Sequence, residues 1–480
     1  MSSLPTRSEA EPETRRHRPA GLPRLLEGIP SHVGMSLAEH LALHGPLPVW
    51  SRRARGTDRR SIPHSGHTAG SPIGEHPLIA QVEQSGLRGR GGAGFPTAVK
   101  LRAVAASRGR PVVVVNAAEG EPASLKDRTL TQTVPHLVLD GATLAAHALG
   151  ASEVVVSVCE SAQASVESLA EAIGERGSPR RGSPRTRLTT IPSHYVAGQE
   201  SALVNYLNGA PAIPTFTPPT VFQQGVARRP TLLSNAETLA HLALIARHGP
   251  GWFRELGTPS QPGSTLVTLS GPVSRPGVYE IEYGASLGSL IDAAGGTVGR
   301  PRAALLGGYG GSWVGEEHLH SLLLADEYLA THGASLGAGV VLLLSEGACP
   351  VAETTRVLRW LASQSAGQCG PCVHGLNAIA TSLQGIAGGA AQPNTRQRLT
   401  RLAALVRGRG ACAHPDGAAR MVLTAIEAFG PEFADHARYG PCEGCLRPGE
   451  LPLPVTTTSR SAIVKPLRRP STLYEPAPLQ

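Results

Sequence analysis

The stretch Gly86-Leu-Arg-Gly-Arg-Gly-Gly-Ala-Gly-Phe-Pro-Thr97 decides how the chain is read. Within it, Gly89-x-Gly91-x-x-Gly94 has the spacing of the dinucleotide fingerprint, whose glycines let the backbone approach a phosphate closely. That fingerprint needs a strand before the loop and an acidic residue about 20 positions after it. Leu78, Ile79, Val82 and Leu87 instead have the spacing of a short helix. An ordinary Rossmann assignment therefore fails. What remains is a glycine-dense turn running into a helix. Such a turn offers free N–H groups to a phosphate or to a flat ring, and it also serves as a plain tight turn.

Beyond the loop the pattern is α/β, with strands expected over 112–116, 153–159 and 186–196 and helices over 137–149 and 162–173. The first strand delivers Asn116-Ala-Ala-Glu-Gly-Glu-Pro-Ala-Ser-Leu-Lys-Asp-Arg128 at its C-terminal end, where α/β proteins place ligands. Lysine occurs only at positions 100, 126 and 465, and the first two fall in or beside these loops. In a chain that otherwise uses arginine, this points to a compact ammonium at a ligand. Asp127 and Arg128 read as a local ion pair or a helix cap.

Working outward, 480 residues call for two to four domains. Residues 1–70 are polar and form an N-terminal extension, mostly disordered, with one short helix near 36–44. An α/β domain over 71–248 is interrupted by the exposed insert 177–185. A small α+β unit follows over 249–348, opening on a Gly/Pro-rich joint at 249–263. A helical domain covers 349–440, and a proline-rich tail covers 441–480. The net charge of +8 comes from scattered arginines, with one knot at Arg52, Arg53, Arg55, Arg59 and Arg60 that reads as a solvated linker. No nucleic-acid partner is indicated. No apolar run approaches the ~18 residues of a membrane span. With no secretory h-region, the expected location is cytoplasmic.

Seven cysteines carry the metal question. Cys369 and Cys372 form one C-x2-C, Cys442 and Cys445 another, and Cys412 lies between them. An odd count without a secretion signal argues against a disulfide framework and for metal or redox chemistry. Cys159, at the end of a strand, reads as structural. The second pair has three readings: a ligand donated to a cluster, a zinc site, or a thiol pair.

These motifs, taken in order, resemble the NADH-binding flavoprotein (51 kDa, F-type) component of respiratory complex I, a module shared with NAD-reducing hydrogenases and formate dehydrogenases. Residues 87–97 and 116–128 are similar to its FMN and NADH loops. Tyr195-Val-Ala-Gly-Gln-Glu-Ser-Ala202 resembles its Tyr-x-x-Gly-Glu-Glu-Thr-Ala segment, and Pro230–Leu239 its Pro-Thr-x-x-Asn-Asn-Val-Glu-Thr-Leu segment. Ser270-Gly-Pro-Val-Ser-Arg-Pro-Gly-Val-Tyr279 is like the opening of its β-grasp domain. The resemblance implies three units in order: an α/β flavin-binding domain, a β-grasp (ubiquitin-like, SLBB) α+β domain, and a helical-bundle iron–sulfur domain.

It also implies roles. FMN would lie over Gly89, Arg90 and Gly91, with Lys100, Asn116, Glu119, Tyr195, Gly198, Gln199, Glu200, Asn235 and Thr238 as matched contacts. NADH would be held at its carboxamide by Glu121, the residue nearest the hydride chemistry, with Phe95 against the adenine and Gly92 near the diphosphate. Electrons would leave through an iron–sulfur cluster on Cys369, Cys372 and Cys412. The implied partner is a thioredoxin-like iron–sulfur protein or another redox protein of a larger complex, which would bring this chain to the membrane only peripherally.

The departures are specific. The family's cluster motif Ser-Cys-Gly-x-Cys-x-Pro-Cys reads here Ser365-Ala-Gly-Gln-Cys-Gly-Pro-Cys372, so Ala366 replaces the first ligand. The expectation is a [4Fe–4S] cluster with a substitute ligand from Cys349, Cys442, Cys445, His374 or His414, a three-iron cluster, or an empty pocket. A zinc site on Cys369, Cys372, Cys442 and Cys445 is the second choice. Ala118 stands for an aspartate in the nucleotide loop, and Thr217-Pro-Pro-Thr220 lacks the family's lysine and phenylalanine, leaving Phe216 or Phe222 to compensate. Two readings compete: an NADH-oxidising electron-transfer flavoprotein, and a degenerate flavoprotein or assembly module without NADH turnover.

Overall fold

The computed structural model describes residues 21–29, 34–48, 76–178, 182–390 and 394–454. The arginine knot and the centre of the 177–185 insert lie outside them. So does much of the N-terminal extension, but 21–29 and 34–48 pack onto the body. Leu25 and Met35 are buried, and Glu280 accepts the backbone N–H groups of Arg24 and Leu25 at 2.7 and 2.8 Å. The helix α1 (Leu37–His44) starts at a Ser36–Glu39 capping box, as its sequence dictates.

The glycine loop links α2 (Pro77–Ser85) to α3 (Thr97–Ala106), so a helix does precede it. There follow β1 (Val112–Ala117), α4 (Lys126–Thr133), α5 (Pro135–Leu149), β2 (Glu153–Cys159), α6 (Gln163–Glu175) and β3 (Arg185–Ile191). The third strand stops at Ile191, short of the expected 196, because Tyr195–Gly198 turns as a 3-10 helix into α7 (Glu200–Leu207). Next come β4 (Thr231–Asn235) and α8 (Ala236–Phe253). The four parallel strands are ordered β3-β2-β1-β4. The chain leaves β1 toward β2 and β3, then returns to its other side as β4. Between β1 and β4 is therefore a topological switch point, with Asn116 beside Asn235 in register.

β1, with Val112–Val115 fully buried, reads as the near-continuous apolar run of a strand covered on both faces. Helices α5 and α8 pack so closely that a Cβ on Gly141 would sit 1.8 Å from the Leu239 carbonyl oxygen. Helix α8 continues past the expected joint at 249, kinking at Gly249, whose φ is 90°, ahead of Pro250.

The second unit adds β5 (Ser264–Ser270), β6 (Gly277–Glu282), α9 (Leu287–Ala293), β7 (Pro301–Leu306), β8 (Ser312–Gly315), α10 (Asp326–Leu329) and β9 (Val340–Ser345). Its mixed sheet runs β6-β5-β9-β7-β8. The third is a bundle of α11 (Pro350–Ser363), α12 (Leu376–Ala387), α13 (Thr395–Val406), α14 (His414–Ala428) and α15 (Gly430–Tyr439). The tail does not simply leave this bundle. Leu451 is buried, Tyr309 donates its hydroxyl to the Pro452 carbonyl, and Glu353 accepts the N–H groups of Glu450 and Leu451. No described helix is long and apolar enough to cross a membrane.

One buried ion set joins the first two units. The Lys126 ammonium lies 2.9 Å from Asp127, 3.0 Å from Glu237 and 3.3 Å from the Asn235 amide oxygen. Glu237 also accepts the Thr265 hydroxyl and the Leu266 N–H of β5 at 2.9 and 3.0 Å. Burial alone would raise its pKa, but the Lys126 charge, aided by His241 and Arg90, pulls it down to about 2. Burial likewise works against the Lys126 charge, and Asp127 and Glu237 overcome it. Replacing Lys126 with methionine leaves two buried carboxylates without their cation, a loss of about 3–5 kcal/mol. Thermal unfolding should show a large drop in midpoint for K126M and none for R300A, which breaks an exposed pair with Glu316.

Candidate flavin and iron–sulfur site

The glycine loop closes on itself before it meets anything else. The Gly89 N–H donates to the Phe95 carbonyl at 2.8 Å and the Thr97 N–H to Leu87 at 3.0 Å. The Arg90 N–H donates to the Thr238 hydroxyl at 2.8 Å, tying the loop to the start of α8. Gly91 and Gly92 are left exposed, and Gly92 has φ of 100°, which side-chain-bearing residues rarely adopt. A Cβ on Gly91 would come 3.4 Å from Asn235 and narrow the cleft between the loop and the strand ends. A cavity of about 200 Å3 lies along the loop, lined also by Lys126, Thr265, Tyr283, Asp326 and Gly337.

Half-exposed polar groups crowd the strand ends. Asn116 donates its amide to the Gly198 carbonyl at 2.8 Å, which holds the 195–200 turn against β1. The Lys100 ammonium reaches from α3 to Glu200 at 2.8 Å and to the Leu233 carbonyl at 3.0 Å. Free backbone N–H groups, a glycine cradle, a cation and amide side chains at a switch point fit a flavin nucleotide.

Several expected contacts have other employment. Arg90 lines the cavity with its guanidinium engaged, donating to the Ser264 carbonyl and lying 4.7 Å over the Tyr283 ring. Gln199 caps α7 by accepting the Ala202 N–H at 2.9 Å. Glu119 is buried and accepts from the Ser124 hydroxyl and the N–H groups of Asp127 and Arg128. Lys126, expected to face a ligand, lines the cavity but is already neutralised inside the protein. Asp127 and Arg128 form ion pairs, as their sequence suggests, with Lys126 and Glu119. Phe95 is half exposed over the loop, Phe216 is exposed, and Phe222 packs against the α/β core.

Glu121 is the most unusual group here. Its carboxylate accepts the Tyr309 N–H at 2.9 Å from the β-grasp unit and a hydrogen bond from Tyr195. Burial pushes its pKa up to about 7. Tyr195 in turn meets Trp360 edge-on with ring centroids 5.4 Å apart and lies 5.3 Å from the His414 ring, while its N–H donates to Gln364. The flavin-side turn is thus docked directly onto the helical bundle beside the cluster cysteines.

Those cysteines converge around a π-helical turn at Pro371–Gly375. Nearby backbone N–H groups favour the thiolates against burial: those of Ala411 and Cys372 at Cys369, that of Ala366 at Cys372 and that of His414 at Cys412. Burial raises Cys372 to about 12 with its neighbour Cys369 adding to the effect, while the backbone donors outweigh burial at Cys369 and lower its pKa. Three thiols wrapped in backbone N–H donors are the surroundings of cluster ligands. They suit ligands of an iron–sulfur cluster, and Ala366, at the first ligand position of the family motif, offers no ligand atom.

The second C-x2-C is elsewhere. Cys442 and Cys445 gather with Cys349 and His436, their ligand atoms all within 4.8 Å of one another. The alternative zinc set with Cys369 and Cys372 is therefore wrong, and these three thiols are committed away from the cluster. His414 directs one ring nitrogen to the Leu361 carbonyl at 2.9 Å. Cys159 is buried, which pushes its thiol up to about 11. Glu237, Tyr309 and Tyr283 do not stand out in the sequence. Glu237 sits in the quoted 230–239 segment, but nothing local marks it as a buried ion.

Comparison with known proteins agrees with this layout. The family described as Nuo51 FMN-binding domain matches residues 82–244, the SLBB domain 266–309, and the NADH-ubiquinone oxidoreductase-F iron-sulfur binding region 352–436. A second-form NADH-quinone oxidoreductase F protein of Rhizobium meliloti is 33% identical, over 76% of this chain and 90% of its own. The corresponding NADH-quinone oxidoreductase protein of Streptomyces coelicolor is 33% identical over 79% and 87%. An NAD+-reducing [NiFe]-hydrogenase in the air-oxidised state is similar in structure, with a TM-score of 0.67 at 33% identity over 75% of this chain. The chain spans 62% of that hydrogenase chain.

The elevated Glu121 pKa has a testable sign. A carboxyl whose folded pKa is near 7, against an ordinary 4.5, stabilises the fold at low pH and loses that advantage as pH rises through this window. Glutamine at 121 keeps an acceptor for Tyr309 without the charge. Urea unfolding of E121Q should give a flatter stability–pH profile than wild type, the two diverging by on the order of 3 kcal/mol between pH 5 and 8. Parallel profiles would mean the carboxylate is not desolvated.

Proposed function

The chain belongs to the F-type family of NADH-quinone oxidoreductase flavoproteins, and on that premise we propose that it oxidises NADH at FMN within a multisubunit redox complex. The observation that carries this reading is the meeting of the 89–94 glycine loop, Asn116 and the 195–200 turn at the β1/β4 switch point, with Asn116 bonded to Gly198. FMN, when bound, accepts the reducing equivalents of NADH in pairs and releases them singly to a cluster.

The protein's part is placement and protection. Backbone N–H groups of Gly91 and Gly92 would receive phosphate, and Lys100 and Glu200 sit at the strand ends beside Asn116 and Asn235. The buried Glu121, its carboxyl group held by Tyr195 and Tyr309, would accept the carboxamide of the substrate. Phe95 offers a ring face to the adenine. Cys369, Cys372 and Cys412 would hold the iron–sulfur cluster. The electron acceptor would be a thioredoxin-like iron–sulfur protein or another redox protein of the same complex, through which the chain is held peripherally at a membrane.

A second reading has its own support. Ala118 and Thr220 remove a carboxylate and a stacking ring from the nucleotide side, which favours a flavoprotein reduced by another protein. Steady-state NADH oxidation with an artificial acceptor separates the two. NADH-dependent turnover with stoichiometric FMN supports the dehydrogenase; full FMN content without turnover supports the second reading. In the first case F95A should raise KM for NADH about fivefold, the worth of a stacking contact of ~1 kcal/mol, with kcat and FMN content unchanged.

A further inference from the structure

Cys349, His436, Cys442 and Cys445 come from three separate places in the chain. Cys349 caps the N-terminus of α11, its sulfur accepting the Ala352 N–H at 3.3 Å. His436 lies in α15. The two remaining cysteines flank a 3-10 turn in the tail, as Cys442-Glu-Gly-Cys445. Cys349 and His436 are each only 3% exposed.

Their geometry is that of one small ion. The His436 Nε2 is 3.4 Å from the Cys349 sulfur and 3.2 Å from that of Cys445, and the sulfurs of Cys442 and Cys445 are 3.8 Å apart. Ligand bonds of about 2.3 Å to sulfur and 2.0 Å to nitrogen, set tetrahedrally, give edges of about 3.5–3.8 Å. A four-iron cluster must fit its own core between its thiolates, so four atoms all within 4.8 Å are too close for one. A Cys442–Cys445 sulfur separation of 3.8 Å is also far from a bond.

The surroundings prepare these groups as ligands. His436 donates its Nδ1–H to the Glu432 carbonyl at 2.8 Å. This fixes the tautomer and leaves the Nε2 lone pair facing the three sulfurs, as metal-bound histidines are held. The turn can approach only because residue 444 is glycine: a Cβ there would lie 3.0 Å from the Cys349 nitrogen and 3.2 Å from its Cβ. Cys442 is exposed, so an ion can enter from solvent.

We propose that Cys349, His436, Cys442 and Cys445 bind one zinc ion in a closed, structural Cys3His site, separate from the iron–sulfur cysteines. Three thiolates and an imidazole select a soft, tetrahedral ion over magnesium or calcium. Four protein ligands leave no open position, so the ion does not take part in electron transfer. Its task is to clamp the tail across the beginning of α11 and the end of α15. Beyond the clamp, Glu450 binds Ser345 at the end of β9 and the Leu451 N–H binds Glu353, so the site fixes the seam between β-grasp unit and bundle.

The test uses the full chain purified without oxygen and metal analysis of zinc and iron together. Wild type should carry one zinc per chain, with zinc-edge X-ray absorption giving three sulfur ligands and one nitrogen. C445S should lose the zinc and keep its iron; C372S should lose iron and keep its zinc. Wild-type protein free of zinc, with Cys442 and Cys445 joined in a disulfide, would overturn the proposal. So would loss of iron in C445S at unchanged zinc, which would make these cysteines cluster ligands. The absorption measurement on wild type decides the matter even if a variant fails to fold.

Discussion

The ammonium of Lys126, buried between Asp127 and Glu237, is the constraint on which the candidate site depends. A lone cation cannot be taken out of water without anions to meet it. Meeting it brings together the 116–128 loop, the start of α8 and, through the second face of Glu237, strand β5 of the next unit. Arg90 joins the same set at 3.8 Å from Glu237, so the glycine loop is held by it too. The cleft at the switch point is therefore built by charge neutralisation beneath it.

Exposure separates the polar groups at the strand ends from the scaffold. Arg90, Gln199 and Glu119 match family positions, yet their side chains are consumed by Ser264, the α7 cap and the 124–128 turn. Lys100, Asn116, Glu200 and Asn235 stay half exposed at the strand ends. Glu121 belongs to neither group. It is buried, lies against Tyr195 and Tyr309, and so meets the aromatic group of Tyr195, Trp360 and His414. Aromatic packing thus joins the 195–200 turn to the helical unit.

Much of this is legible in the sequence wherever the signal is local. The glycine loop and the valine strand are read from neighbouring residues, and the order of the three units and the ligand missing at Ala366 from the resemblance to the family. The failures are long-range. Nothing near Lys126 shows that Glu237 will neutralise it, and no spacing rule links Cys349 and His436, 87 residues apart, to a Cys-x2-Cys in the tail. The C-x2-C itself is visible as a metal signal, but its partners are not, and spacing alone pairs it with the wrong cysteines. The strand expected to run to 196 fails because apolar alternation does not register the 3-10 turn that Asn116 stabilises from another strand.

The central claim is that this divergent chain still passes electrons from NADH through FMN to iron despite Ala366 and Ala118. Anaerobic titration of the purified protein with NADH, followed in the visible spectrum, tests it most directly. The account predicts that the flavin bands bleach in proportion to added NADH and that the broad iron–sulfur absorption falls with them. Flavin bands that NADH leaves untouched, in protein that dithionite does reduce, would contradict it.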